Sequence, residues 1–327
     1  MQKNKLTSAH AKLILTAITL IFAAGCATSQ KDTDPSIAKK PGSRQQVRDD
    51  FADPQAPDSQ TPVATSTEGQ PAQQEEKRVA VILGPGGYKT FAHTGVIKEM
   101  RKANIPIHKI VGIEWGSLIA ALYAQRGQIN EAEWKLYKLE RVDLDNRSFF
   151  ARKEAKSVKD LEGYLAQNLD KKDIRELAVG FSCPSLSLNQ GTLAWFEQGP
   201  LTRAVESCLA SPPLFRPQRD AVAGLFSATE AVAKLRKEGY NVIVLVNVLG
   251  EGNLFDKAVS QEDYSVAVLW NEARRNQWLA KGLVTDVVDV NTRGINMGDF
   301  ESRKILMTAG EAAGERLAKA MITKYGF

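Results

Sequence analysis

The stretch that decides the fold is "GIEWGSLIAALYA", Gly112–Ala124. It follows "HKIV" and passes into an alanine- and leucine-rich segment. That is the pattern of a buried strand turning sharply into a helix, with Gly112 and Gly116 bracketing the turn. Such turns often place a nucleophile at their apex, where the side chain stands clear of the backbone. Here the apex residue is Glu114, followed by Trp115. A carboxylate attacking an ester would form an anhydride, a poorer intermediate than an ester, so an acyl-transfer role for Glu114 is disfavoured. Ser117 sits three residues later, in the first helical turn, and does not occupy the apex.

Upstream, "RVAVIL" (Arg78–Leu83) is a short, β-branched apolar run of the kind buried on both faces of a parallel sheet. The glycine-rich turn "GPGGYKT" (Gly84–Thr90) leads from it into a helix expected from about Ala92 to Lys102. A phosphate-binding P-loop needs glycine immediately before the lysine and another five residues earlier; Tyr88 and Leu83 stand there. A dinucleotide fingerprint needs a third glycine where Lys89 stands. The spacing that remains is that of an oxyanion loop. Gly86 and Gly87 let backbone N–H groups approach a reacting centre, and Lys89 orients the loop or adds positive charge.

Downstream, strands are expected at "LAVGFSC", "NVIVLVNV" (Asn241–Val248), "YSVAVLW" and "TDVVDV". Helical patterns fill about Glu131–Leu169, Leu201–Leu209 and Phe300–Lys324. Strands alternating with helices give an α/β fold, three layers α/β/α around a mainly parallel central sheet. No proline- or glycine-rich break interrupts residues 78–327, which read as one domain.

The first 77 residues have a different character. Lys3 and Lys5 precede an apolar run, Leu13–Ala24, that ends in "FAAGCATS". This is the layout of a secretory signal, residues 1–25. "AAGC" resembles a bacterial lipobox, with Ala23 in place of the usual leucine, so Cys26 is the expected lipidation site. Ala27 lacks the inner-membrane retention signal of aspartate, and the outer membrane is the expected destination. From Ala27 to Lys77 there is no Leu, Met, Trp or Tyr, and Phe51 is the one aromatic, which reads as a disordered tether.

Composition narrows the function classes. A net charge of +5 without a dense Lys/Arg block argues against nucleic acid as a partner. Once the signal is removed only His93 and His108 remain, and no Cys/His cluster has metal spacing. An exported chain allows Cys183 and Cys208 to pair, although two buried thiols fit equally well.

The segment "LGPGGYKTFAHTGVIKEM" resembles the glycine-rich signature of the patatin-like phospholipases. Gly86, Gly87, Lys89, His93, Gly95 and Val96 match it, while Pro85 and Thr90 stand where glycines are expected. His93 corresponds to the helix histidine of the signature, read here as a packed, hydrogen-bonded residue. The resemblance implies a Ser–Asp dyad, its serine in the G-x-S-x-G elbow and its aspartate in a D-G motif. In this chain Glu114 stands at the serine position. "VESCLASPPLFRPQRDAVAGL" keeps Pro213, Phe215, Pro217 and Gly224, but Ala223 stands at the aspartate position. Asp220, three residues early, is the one nearby acid that a shifted loop would bring in. "LRKEGYNVIVLVNV" and the segment from Thr285 to Leu317 extend the resemblance over nearly the whole globular part.

With both dyad members replaced, the expectation is an envelope-anchored relative of lipid acyl hydrolases that binds a lipid or an envelope protein, without metal or cofactor. A divergent active hydrolase and a structural envelope lipoprotein are the alternatives. The Glu114 carboxylate is expected to sit against the Gly86 and Gly87 donors as a mimic of the oxyanion, with Trp115 closing the pocket.

Overall fold

The computed structural model describes residues 76–140, 157–212, 214–251, 254–255 and 264–327. The signal, Cys26, the tether up to residue 75 and Pro213 lie outside the described residues. The chain order is β1 (Val79–Leu83), α1 (Ala92–Lys102), β2 (Lys109–Gly112), α2 (Trp115–Ala124), α3 (Ile129–Tyr137) and α4 (Glu162–Asn168). Next come β3 (Gly180–Ser187), β4 (Leu193–Phe196), α5 (Leu201–Leu209), β5 (Ala221–Ala223), α6 (Ala228–Lys237) and β6 (Val242–Asn247). The chain closes with α7 (Tyr264–Lys281), β7 (Asp286–Asp289) and α8 (Arg303–Tyr325).

The strands form one seven-stranded sheet in the order β4-β3-β2-β1-β6-β7, with β5 paired to β3 off this path. β1 pairs in parallel with β2 and with β6; β2–β3 and β6–β7 are parallel as well. β4 and β5 run antiparallel to β3. The result is the mainly parallel α/β sheet that the sequence predicts.

β1 explains the layering. All five of its side chains are buried. Because successive residues face opposite sides, Val79, Val81 and Leu83 pack into the core shared with α1, α2, α3, α5 and α8. Ala80 and Ile82 pack on the other face, against Ala228, Ala231, Val232 and Leu235 of α6 and Ala280 of α7. Burial contributes roughly 1.5–3 kcal/mol for each of the larger aliphatics. α1 lies so close to α8 that a Cβ on Gly310 would stand 1.9 Å from the Ala92 carbonyl oxygen.

Two expectations change. "YSVAVLW" is not a strand; it opens the 18-residue helix α7. A short apolar run fits a buried strand or a helix segment equally. Here Val266, Trp270, Ala273, Gln277 and Ala280 recur at helical spacing on the buried side. The strands β4 and β5, at the sheet's antiparallel end, are four and three residues long, too short to stand out in the sequence. The open question about the cysteines is resolved: Cys183 of β3 and Cys208 of α5 form a disulfide, with Cα atoms 6.2 Å apart. Among the described residues no helix is long and apolar enough to cross a membrane.

Candidate functional site: an elbow that carries a carboxylate

β1 and β2 are adjacent and parallel, so the turns that leave their C-terminal ends meet. The glycine turn after β1 runs into a 3-10 segment, Gly87–Phe91, and the elbow after β2 caps α2. Glu114 holds φ 57° and ψ −128°, a strained conformation for a residue with a Cβ. The elbow is therefore formed although its apex is glutamate. Its glycines are required by close approach. A Cβ on Gly112 would stand 2.4 Å from the Ser117 Cα, and one on Gly116 would stand 2.7 Å from the Leu83 carbonyl oxygen. Ser117 donates its hydroxyl to the Glu114 carbonyl at 2.6 Å, turned away from the apex.

The Glu114 side chain is fully buried. Its Oε2 accepts from the N–H of Gly86 at 3.2 Å and of Gly87 at 3.0 Å. The Oε1 accepts from the Ser211 hydroxyl at 3.0 Å, and the Trp115 N–H adds a fourth donor to the carboxylate. Burial pushes the Glu114 carboxyl up to about 7, against the pull of these four donors. Near neutrality the site thus holds a carboxylate and a carboxylic acid in comparable amounts, each in reach of donors.

His93 fixes the loop from below. It is buried, and its Nε2 lies 2.8 Å from the Gly84 carbonyl oxygen, which makes that nitrogen the donor. Burial lowers its pKa to about 4, so the ring is neutral. Aromatic rings close the site from above. Trp115 lies edge-on to Tyr88 at 5.1 Å between centroids and stacks with Phe215 at 6.3 Å. Phe300 meets Tyr88 at 5.4 Å.

The other expected positions lie elsewhere. Ala223 ends β5, is buried, and its N–H donates to the Ala210 carbonyl at 2.7 Å. It brings a methyl group and no base. Asp220 accepts from the Ser187 hydroxyl at 2.8 Å, beside the β3–β5 hairpin. Lys89 is 1% exposed, and the charge of Arg274 on α7 acts on it. Ser211 was not singled out from the sequence; it lies 97 residues from Glu114, and no local pattern marks it as a partner.

The family model described as "Patatin-like phospholipase" matches residues 81–226, which span the glycine turn, the elbow and the Ala223 strand. The chain carries a patatin-like phospholipase domain. An uncharacterised NTE family protein of Mycobacterium bovis is 29% identical to it over 149 residues, 43% of this chain and 39% of that protein. The lysophospholipase NTE1 of Coccidioides immitis is 26% identical over 211 residues, 62% of this chain and 13% of that protein. The chain therefore spans 39% or less of the length of these curated relatives. Among solved structures, VipD from Legionella pneumophila superposes with a TM-score of 0.44 at 11% identity, covering 75% of this chain and 67% of that one. The patatin-like elbow of this chain thus keeps its backbone and its glycines while a glutamate fills its donor site.

Proposed function

We propose that this patatin-like protein binds lipid without cleaving it, held at the outer membrane of a bacterial envelope through acylated Cys26. The observation that carries the reading is the Glu114 carboxylate. It takes both loop donors, Gly86 and Gly87, from inside a buried site. A substrate oxyanion has no donors left to meet, and neither the elbow nor Ala223 offers a nucleophile and base. Lipid as the ligand class is supported by the relative named as a lysophospholipase. It is supported also by an open apolar groove of about 670 Å³ beside the site. Leu186, Leu193, Pro212, Phe215, Val222 and Leu225 line it, and a fatty acyl chain is the occupant such a lining suits. Pro212 follows directly on Ser211, the residue bonded to Glu114, so the groove runs up to the blocked centre.

Three measurements test the reading. A fluorophosphonate probe is expected to leave the wild-type protein unlabelled, and short- and long-chain esters are expected to remain intact. Native mass spectrometry of protein extracted in mild detergent is expected to show a co-purified lipid. Labelled palmitate is expected to enter the wild-type chain and not Cys26→Ala. Lipid deacylation that a single pocket substitution abolishes overturns the non-catalytic reading and restores the divergent hydrolase. A protein free of lipid in the groove leaves the structural lipoprotein.

A further inference from the structure

Three chain segments hold apolar side chains out into water at the mouth of the groove. The first is the turn between β3 and β4, where Leu188 lines the groove's edge and is 53% exposed. This turn is braced. The Ser187 N–H donates to the Thr192 carbonyl at 3.0 Å, and the Leu188 N–H donates to the Asp220 carbonyl at 2.8 Å, which ties the turn to the one before β5. The second segment is the bend after β5. The Leu225 N–H donates to the Ala223 carbonyl at 2.9 Å and the Ser227 N–H to the Gly224 carbonyl at 3.2 Å. Adjacent side chains leave this bend on opposite sides, so Leu225 is buried while Phe226 is 36% exposed on the groove's edge. The third segment is the start of α7, where Leu269 lines the groove and its neighbour Val268 is 61% exposed. Large apolar side chains gathered at the rim of an apolar hollow mark a surface that is covered in use.

Charge at the rim narrows what covers it. Arg216 is exposed and forms part of the groove wall. Arg219 is exposed on the turn that Gln218 and Ala221 close with backbone bonds of 2.8 and 3.0 Å. It precedes Asp220, whose carbonyl holds Leu188, so it flanks the apolar tip. Neither arginine forms an ion pair with a described residue. The acid beside Arg219, Asp220, is turned to the Ser187 hydroxyl at 2.8 Å. Glu230, the acid of the groove wall, accepts from the Thr229 hydroxyl at 2.7 Å. An apolar rim with cations at its flank is complementary to an anionic phospholipid surface. Apolar tips enter the edge of the acyl layer, and arginines bury their stems while reaching the phosphates. A protein partner would have to bring acids to both arginines and would leave a hollow lined for an acyl chain unfilled.

We propose that Leu188, Phe226 and Val268, flanked by Arg216 and Arg219, form a docking surface that dips into an anionic phospholipid bilayer. Docking sets the mouth of the groove at the level of the acyl chains, and Arg216 at the level of the headgroups. An acyl chain then passes from the leaflet into the groove without crossing water, which removes the cost of exposing it. That passage rests on the groove being a lipid site; the docking itself does not, and the two are measured apart.

The test uses the full-length protein with one cysteine added, at the rim (Leu188→Cys or Val268→Cys) or at a control position (Lys319→Cys). Lys319 is exposed on α8, whose last turn reaches β7, at the opposite edge of the sheet, through Lys324 and Asp286. Bimane on each cysteine is read in vesicles of phosphatidylcholine and phosphatidylglycerol whose acyl chains carry bromine, a contact quencher. Both rim labels are expected to lose roughly half of their emission or more, and the control label to keep its own. Omitting phosphatidylglycerol, or adding salt, is expected to weaken quenching at the rim, and Arg216→Gln with Arg219→Gln is expected to remove that dependence. Two rim positions keep the test in force should one variant fail to fold. Quenching that is absent at the rim, or equal at rim and control, overturns the proposal. So does a blue shift of the rim label that grows with protein concentration before vesicles are added, which assigns the face to a second copy. A blue shift that needs an added envelope protein overturns it as well. Lipid found in the groove by native mass spectrometry beside a rim that stays wet sinks the docking and spares the lipid-binding reading; a quenched rim on protein from which no lipid co-purifies does the reverse.

Discussion

Replacing Glu114 by glutamine separates two opposing effects in the elbow. The carboxyl rises from an ordinary value of 4.5 to about 7 because burial outweighs its donors. A raised value means that the folded protein holds a proton the unfolded chain has lost. Stability from this group is therefore full below pH 4.5 and lost as the pH climbs to just above 7. At roughly 1.4 kcal/mol per pH unit, the loss amounts to about 3 kcal/mol. The wild type alone will not display it cleanly, because His93 works against it. Its value falls from 6.5 to about 4, so its cost is present below pH 4 and relieved by pH 6.5. Lys89, lowered from 10.5 to about 8, changes stability above pH 8 and leaves the window undisturbed. The difference between wild type and Glu114→Gln cancels both. Glutamine keeps the shape: its Oε1 can accept from Gly86 and Gly87, and its Nε2 can donate to Ser211. Urea unfolding at intervals from pH 4.5 to 8 is expected to find the two proteins nearly equal at the acid end. At pH 8 the variant is expected to lead by about 3 kcal/mol. A difference that stays constant with pH, or a wild type that leads at pH 8, refutes the reasoning. Either would mean that the four donors repay the carboxylate's desolvation in full.

Further outcomes follow from the same geometry. Glu114→Ser alone is expected to remain unlabelled by a fluorophosphonate, since Ala223 supplies no base; labelling would show that the elbow is self-sufficient. Gly310→Ala drives a methyl into the Ala92 carbonyl and is expected to cost about 1–3 kcal/mol in urea unfolding as α1 and α8 are forced apart. Cys183→Ser with Cys208→Ser opens a loop with a sequence separation of 25 residues. It is expected to lower stability by about 3.5 kcal/mol on the chain-entropy scale, read as a fall in the urea midpoint.

How much of this was legible in the sequence differs from element to element. β1, the glycine turn and helix α1 could be read directly, and so could the elbow, because each is written in adjacent residues: a β-branched run, then glycines where backbones crowd, then an apolar periodicity. Glu114 at the apex of the elbow and Ala223 before Gly224 were legible for the same reason, since each stands within a contiguous motif. "YSVAVLW" misled because a mostly apolar run of seven residues does not distinguish a strand from the first turns of a helix, and the buried spacing of α7 becomes clear only over its full length. Ser211 meeting Glu114, 97 residues away in the chain, is a product of strand order. So is the meeting of Lys89 with Arg274 and of Gly84 with Gln277.

What the sequence alone determined was the set of local shapes and which residues, Glu114 and Ala223, stand at the elbow apex and before Gly224. Tertiary structure decided which distant side chains share a buried space: whether the cysteines pair and which donors reach the carboxylate. The physical reason is that local conformation follows from neighbours within a turn or a strand, whereas burial and charge depend on the register of β1 between β2 and β6 and on the helices laid across them.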